Sequence, residues 1–173
     1  MEKHENILAW LDALRSGDFR QTQNALRETG PERGEYAYCC LGVACEISWL
    51  GHWVDEGSFQ DGTLALREEG RDPEYDDSVK YTEEEFTSPD VQEWLGLLDN
   101  AGQHYDEKGE TVSLAQLNDS GKSFAEICDY IETHPHYLFE ADVAQALLGA
   151  LEARKRKGDV DYMAIVREIA KGS

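Results

Sequence analysis

Three cysteines lie close together in the sequence and are the residues best suited to nucleophilic chemistry: Cys39, Cys40 and Cys45. A cysteine attacks as the thiolate, which forms near neutral pH only beside a base or a cation. The histidines that could act as that base are His52, His104, His134 and His136. The cysteines stand in the apolar segment 36–50, where cysteine is more often a small buried side chain than a nucleophile. We therefore expect the cysteines to pack in the core, and Cys39 or Cys40 to be the nucleophile if the protein is an enzyme.

The cysteines and histidines do not have the spacing of a metal site. Cys39 and Cys40 are followed by Cys45, which differs from the paired Cys-x2-Cys spacing of compact zinc sites. His134 and His136 flank a proline, and no third ligand accompanies them in the sequence. The sequence therefore predicts neither a metal site nor a cofactor.

The segment Gly121-Lys122-Ser123 is similar to the end of a phosphate-binding loop. The glycine that such a loop requires five residues earlier is replaced by Gln116, and the preceding segment has the pattern of a helix rather than a strand, which excludes a nucleoside triphosphatase. The backbone amides behind Ser123, with Lys122 beside them, could still hold a phosphate or carboxylate. The structural alternative is a capping box formed by Ser123 and Glu126.

Asn118 and Asp119 stand between two predicted helices and have two interpretations. Short polar side chains cap helices and turn the chain. They could equally present an amide and a carboxylate to a base or ribose, with aromatic side chains stacking on the base. The residues predicted to line such a nucleotide pocket are Tyr38, Trp53, Asn118, Asp119, Lys122 and Ser123.

The elements that position these residues are mostly helical. A stripe formed by Ile7, Leu11 and Leu14 predicts a first helix that ends at 16–17, and the apolar segment predicts a buried helix that begins near Cys39. Ser88, followed by proline, is a typical helix start. Residues 51–85 alternate turns with β-compatible runs at 52–54, 63–66 and 78–81, which favours a small antiparallel sheet or flap.

Toward the end of the chain, apolar periodicity predicts a helix over 143–157 that is stopped by Gly158, and a last helix over 160–170. Together these patterns predict an α+β, predominantly helical fold, in one domain of about six or seven short helices with a small antiparallel β element.

The net charge is -20, because the chain contains 36 acidic and 16 basic residues. Such a surface repels phosphate backbones and anionic membranes, so we expect no direct nucleic-acid binding and no membrane association. Solubility, adaptation to high salt, and imitation of a polyanion toward a basic partner all remain open as causes. The sequence shows no apolar run of about 18 residues and no signal-peptide layout at its start, so we expect a cytoplasmic location.

Five segments spread over residues 8–132 carry a resemblance to a known family. They are Trp10-x3-Leu14-Arg15-Ser16-Gly17, Ala25-Leu26-Arg27, Tyr38-Cys39-Cys40-Leu41-Gly42-Val43-Ala44-Cys45-Glu46, Val91-x2-Trp94-Leu95-Gly96-Leu97, and Leu117-Asn118-Asp119-x-Gly121-x-Ser123-Phe124-Ala125-Glu126-Ile127. Together they resemble a family of small uncharacterised proteins encoded by bacteriophages and prophages. We therefore expect a single domain over 1–173, with a family-like core over 1–132 and a C-terminal helical extension over 133–173.

The resemblance implies a source and a context rather than a reaction. Small accessory proteins of phages often act by binding, so we expect a protein that counters a host defence in the infected cell, either by sequestering a nucleotide signal or by binding a host defence protein. The alternatives are a cysteine-dependent or nucleotide-processing enzyme, and a virion or assembly component. Self-association into a homo-oligomer is compatible with the sequence.

Overall fold

Helices account for most of the chain that the computed structural model describes, which comprises residues 2–30, 32–53, 59–61 and 87–171. The helices are α1 (Lys3–Ser16), α2 (Cys40–Ser48), α3 (Pro89–Leu95), α4 (Leu114–Asp119), α5 (Phe124–Thr133), α6 (Pro135–Leu138) and α7 (Ala141–Lys171). The strands are β1 (Arg20–Gln21), β2 (Arg27–Thr29), β3 (Tyr36–Tyr38), β4 (Gly51–Trp53), β5 (Phe59–Asp61), β6 (His104–Tyr105) and β7 (Thr111–Val112). The predicted α+β, predominantly helical fold of a single domain is confirmed.

Helix α1 lies at the centre of the core and packs against α2, α3, α5 and α7. Its predicted apolar stripe is buried, with Ile7 and Leu11 at 0% and 1% exposure. Trp10 on the same helix is fully buried and donates its indole N–H to the carbonyl oxygen of Cys40 at 2.8 Å. As predicted, the helix ends at 16–17, where Gly17 takes the left-handed conformation (φ 82°).

Among the described residues, the strands form three separate groups. The first is ordered β1-β3-β2, with β1 parallel and β2 antiparallel to β3. The pairs β4-β5 and β6-β7 are antiparallel. The expected antiparallel pairing is therefore present, but the first group also contains one parallel pair. The predicted runs at 63–66 and 78–81 lie outside the described residues.

Side chains at the helix starts satisfy backbone N–H groups that have no partner within the helix. Ser88 accepts a hydrogen bond from the Val91 N–H at 3.2 Å, which confirms the predicted start of α3. The thiol of Cys39 accepts the Gly42 N–H at 3.3 Å, so α2 begins at the predicted place. Local sequence signals therefore define where the core helices begin.

The C-terminal helix differs from its prediction. We expected Gly158 to stop one helix and a second helix to follow, whereas α7 runs without a break from Ala141 to Lys171. This prediction was wrong because glycine within a helix costs only about 1 kcal/mol relative to alanine and keeps its backbone hydrogen bonds. The first part of α7 is anchored by buried Ala144 and Leu147, whereas residues 152–158 are exposed. No described helix is both long and apolar enough to cross a membrane.

Candidate functional site

Asn118 is the point at which distant parts of the chain meet. Its side chain is fully buried. Its Oδ1 accepts hydrogen bonds from Gln21 Nε2 at 2.9 Å and from the Cys40 N–H at 3.2 Å, and its Nδ2 donates to the Thr22 carbonyl at 2.8 Å. The amide thus joins the end of β1 to the start of α2. These contacts are internal to the fold, so Asn118 presents no exposed amide to a ligand.

The neighbouring Asp119 holds the loop that follows β1. Its Oδ1 accepts the Asn24 N–H at 2.8 Å and a second hydrogen bond from Asn118 Nδ2 at 3.2 Å. Asn24 has a positive φ of 61°, a conformation that asparagine tolerates better than most residues. The carboxylate therefore fixes a local turn.

A polar pocket of about 530 Å³ opens beside this network. Its lining residues are Gln21, Thr22, Gln23, Asn24, Glu28 and Gly121. The Thr22 hydroxyl is hydrogen-bonded to the Glu28 carboxylate. Asn118 and Asp119 contact this lining from the protein side, through Thr22 and Asn24. The polar pocket is thus the cavity next to the predicted nucleotide site, and amide side chains dominate its walls.

Lys122 and Ser123 contact Glu126 at the N-terminus of α5. The Ser123 hydroxyl accepts the Glu126 N–H at 3.3 Å, while Glu126 Oε2 accepts the Ser123 N–H at 2.9 Å, which is the predicted capping box. Lys122 Nζ lies 2.9 Å from Glu126 Oε1. The lysine and the serine groups together lower the pKa of Glu126 to about 2. The charge of Lys122 is therefore compensated within the protein.

Lys122 also contributes to a second cavity, of about 330 Å³, which we call the α5 pocket. Its apolar wall consists of Leu117, Ile127 and Tyr130. Its polar rim consists of Lys122, Glu126, Asp129 and Thr133. The four rim residues are exposed, while Ile127 is fully buried, so the cavity has an apolar base and a charged edge.

Tyr38 and Trp53 belong to an aromatic cluster rather than to either pocket. Their ring centroids are 6.0 Å apart, and the guanidinium of Arg27 lies 4.3 Å from the centroids of both the Trp53 and the Tyr36 rings. The Trp53 indole N–H donates to Glu46 at 2.7 Å. Burial, reinforced by Glu46, raises the pKa of Tyr38 to about 12. These contacts stabilise the junction of β2, β3 and β4.

The structure therefore brings only some of the six predicted residues together. Asn118 and Asp119 end α4, and Lys122 and Ser123 lie directly before α5. The carbonyl of Tyr38 reaches this region by accepting the Thr22 N–H at 2.9 Å. The rings of Tyr38 and Trp53 lie in the aromatic cluster. A ligand role for these residues stays a prediction, and the side-chain contacts favour their structural interpretation.

All four cysteines are buried and free of disulfide bonds. Burial raises the pKa of the Cys39 thiol to about 12, that of Cys128 to about 11, and that of Cys40 well above its usual range. A buried thiol with a raised pKa remains protonated at neutral pH and is a poor nucleophile. These surroundings favour the packing role over the enzyme alternative.

A cluster of histidines and tyrosines was not anticipated as a unit from the sequence. His104 Nε2 lies 2.7 Å from the Tyr130 hydroxyl, and the His104 ring stacks on Tyr137 with centroids 5.4 Å apart. Tyr130 stacks on His134 at 4.4 Å. The spacing of Tyr130 and His134 could have suggested their contact. His104 comes from a distant strand, and no local pattern indicates its position.

Within the described ranges, no group of three or more histidine, cysteine, aspartate or glutamate side chains has the arrangement of a metal site. The His–Tyr cluster is held together by ring stacking and by the hydrogen bond between His104 and Tyr130. Burial, with the nearby charge of Asp106 and the neighbouring Tyr137, raises the pKa of Tyr130, so its hydroxyl stays protonated and can hydrogen-bond to His104.

Comparison with known proteins identifies the family of the chain. The chain belongs to the family described as domain of unknown function DUF8296, which matches residues 3–135. The matched region contains both the Cys40 segment and the Asn118 segment that meet in the structure. No curated protein and no solved structure gives a significant match.

Proposed function

We propose that the chain is a phage-encoded accessory binding protein that counters a host defence by binding a basic surface of a host protein in the cytoplasm of the infected cell. The observation that supports this proposal is the net charge of -20 on a folded domain. Complementary charge accelerates association with a basic partner and disfavours acidic competitors. The partner would therefore be a protein with a strongly positive face.

The described ion pairs hold basic side chains that would otherwise repel a basic partner. Lys3 binds Glu93 and Glu140, and Arg15 binds Asp129 and Glu132. Arg154 forms a bidentate pair with Asp12, with N–O distances of 2.7 and 2.9 Å. Lys122 is held by Glu126. Because these cations are already compensated, the excess carboxylates set the sign of the surface.

The state of the cysteines supports binding rather than catalysis. Cys39 and Cys40 are buried, and burial raises the pKa of both thiols. Cys39 caps α2, and the thiol of Cys40 lies 3.6 Å from the Leu114 carbonyl, so both sulfur atoms have structural contacts. The enzyme alternative lacks an accessible nucleophile among the described cysteines.

Affinity capture at two salt concentrations tests the proposal. The purified chain, fixed to a resin through its C-terminus, is incubated with host lysate at low ionic strength and washed with increasing salt. We expect one basic host defence protein to be retained and then released at moderate salt, because Coulomb attraction between exposed charges is screened. The purified pair must then bind with the same salt dependence. Retention that does not respond to salt would contradict the charge-based mechanism.

Adaptation to high salt would give the same composition, so the folding experiment is the control. A cooperative thermal transition in dilute buffer would remove adaptation to high salt as the explanation of the charge. Folding only in molar salt would assign the charge to habitat.

The polar pocket supports a second candidate function, the sequestration of a nucleotide. Its amide and hydroxyl side chains, including Gln21, Thr22 and Asn24, offer the donors and acceptors that base edges require. Native mass spectrometry of the purified chain, followed by nucleotide analysis after denaturation, tests this function. An intact bound nucleotide would favour it over capture of a protein, whereas an empty mass and no thermal shift with cyclic or linear nucleotides would exclude it.

A further inference from the structure

The α5 pocket combines an apolar base with a charged rim. Its base is apolar, formed by the half-buried Leu117 and Tyr130 above the fully buried Ile127. Its rim carries the carboxylates of Glu126 and Asp129. A ligand that fills such a cavity needs an apolar body to cover the base and a positively charged end at the rim.

The charges around the pocket select the sign of the ligand. Lys122 is the cation of the lining, and its Nζ is already 2.9 Å from Glu126. Arg15 reaches Asp129 from α1 but also binds Glu132, so it is shared between two carboxylates. The Asp129 side chain remains 75% exposed despite this pair. A phosphate in the pocket would face these carboxylates, whereas a cation would be attracted by them.

An arginine side chain meets these requirements. Its methylene groups cover apolar surface while its guanidinium stays at the water boundary. The planar guanidinium donates two parallel hydrogen bonds to a carboxylate, which an ammonium group cannot reproduce. Asp129 at the edge of the cavity accepts Arg15 Nη2 through Oδ1 at 2.9 Å, and its carboxylate is exposed enough to accept a second guanidinium as well.

We propose that the α5 pocket receives an arginine side chain from a basic segment of the partner protein, with Asp129 as its carboxylate acceptor. This inference rests on the proposed function, since it names the place and the chemistry by which a basic partner is recognised. Net charge alone attracts any basic protein, whereas the pocket adds specificity for a segment that contains arginine.

A matched pair of variants separates the pocket from general charge. Asp129→Asn removes the proposed acceptor. Glu93→Gln removes an equally exposed carboxylate, at 74%, that also pairs with a cation of α1, Lys3, but lies on α3. Both substitutions change the net charge by the same amount. Their thermal stabilities should be equal, because exposed ion pairs contribute little to stability.

The probe is an acetylated and amidated hexapeptide of alternating arginine and glycine, compared with the same peptide containing citrulline or lysine. Amide chemical shifts measured by NMR on the full chain locate the contact, and the shift changes give the affinity. We expect changes in the range 117–133 with the arginine peptide, weaker binding with lysine and none with citrulline. Asp129→Asn should weaken binding by about tenfold, as expected for loss of a charged hydrogen bond, and Glu93→Gln much less.

Equal losses of peptide affinity in the two variants, or chemical-shift changes outside the range 117–133, would contradict the arginine site in the α5 pocket. They would not contradict the binding of a basic partner. Absence of peptide binding at low ionic strength would also overturn the pocket. Failure of the proposed function itself would appear separately, as the absence of a salt-sensitive protein partner in the capture experiment.

Discussion

The backbone carbonyl of Leu26 lies directly against Gly42, and a Cβ at position 42 would come within 1.8 Å of that oxygen. The same carbonyl accepts the Cys39 N–H at 3.1 Å, immediately before α2 begins. The helix cannot move away from Leu26 without losing this hydrogen bond. Glycine at position 42 is therefore required by the close approach of two backbone segments.

Gly42→Ala should lower the free energy of unfolding by about 3 kcal/mol, since the added methyl group must displace backbone atoms in a packed core. Gly149→Ala is the matched control, because Gly149 is also helical but has no atom within 4 Å of an added Cβ. The control should gain about 0.5 to 1 kcal/mol from helix propensity. Urea unfolding measures both values, and an unchanged stability of Gly42→Ala would contradict the close approach.

Asn118→Ala should destabilise the fold by about 3 kcal/mol, because it leaves the Thr22 carbonyl and the buried Cys40 N–H without their partner. Asn118→Asp should be at least as harmful at neutral pH, since it places an acceptor beside the Thr22 carbonyl and the Asp119 carboxylate. Asn100→Ala, at an exposed site, should change stability by no more than about 0.5 kcal/mol. Similar unfolding midpoints for the Asn118 and Asn100 variants would argue against the buried network.

The native thiols should react slowly with iodoacetamide at pH 8. The pKa of Cys39 is raised to about 12 from its usual 9.0, so its thiolate fraction at this pH is smaller by about a thousandfold. Thiolate increases only as the pH rises toward that value. Mass spectrometry counts the modified cysteines over time, and the urea-unfolded chain provides the fast reference. Rapid native modification of Cys39 or Cys40 would revive the enzyme alternative.

Glu126 should contribute a pH dependence to stability in the acid range. Its folded pKa is lowered to about 2 from the ordinary 4.5, so its stabilising effect is present above pH 4.5 and is lost as the pH falls toward 2. NMR titration of its carboxyl carbon measures this pKa directly. Ser123→Ala removes one of its hydrogen-bond donors and should move the pKa upward, toward the ordinary value. An unaltered titration in Ser123→Ala would show that Lys122 and the backbone N–H of residue 123, rather than the serine hydroxyl, lower the pKa.

Local chemistry explains why several elements could be predicted. The capping box at Ser123 and Glu126, and the serine cap at Ser88, are encoded within four residues and are present as expected. The continuation of α7 through Gly158 was not predicted, because glycine lowers helix stability without forbidding the helix. Signals contained in one turn are therefore reliable here, whereas a glycine within an apolar helical pattern does not by itself end the helix.

The candidate sites depend on contacts between distant segments, which limits prediction from the sequence. The sequence draws attention to the motif containing Asn118, but the partners of its amide, Gln21 and Thr22, lie at and just after the end of β1. The pairing of Lys122 with Glu126 follows the helical i,i+4 spacing. The α5 pocket was not predicted, because its apolar wall includes Leu117 from α4 and its rim includes Asp129 from α5.

The Asn118 network also bears on the order in which the protein folds. Asn118 is separated by 96 residues from Thr22 and by 78 residues from Cys40. Contacts of such separation form slowly, because the intervening chain must lose conformational entropy before they stabilise anything. During synthesis on the ribosome, the Cys40 N–H and the Thr22 carbonyl cannot form these hydrogen bonds until Asn118 has emerged. We therefore expect the junction of β1 and α2 to become ordered only after residue 118 has been synthesised.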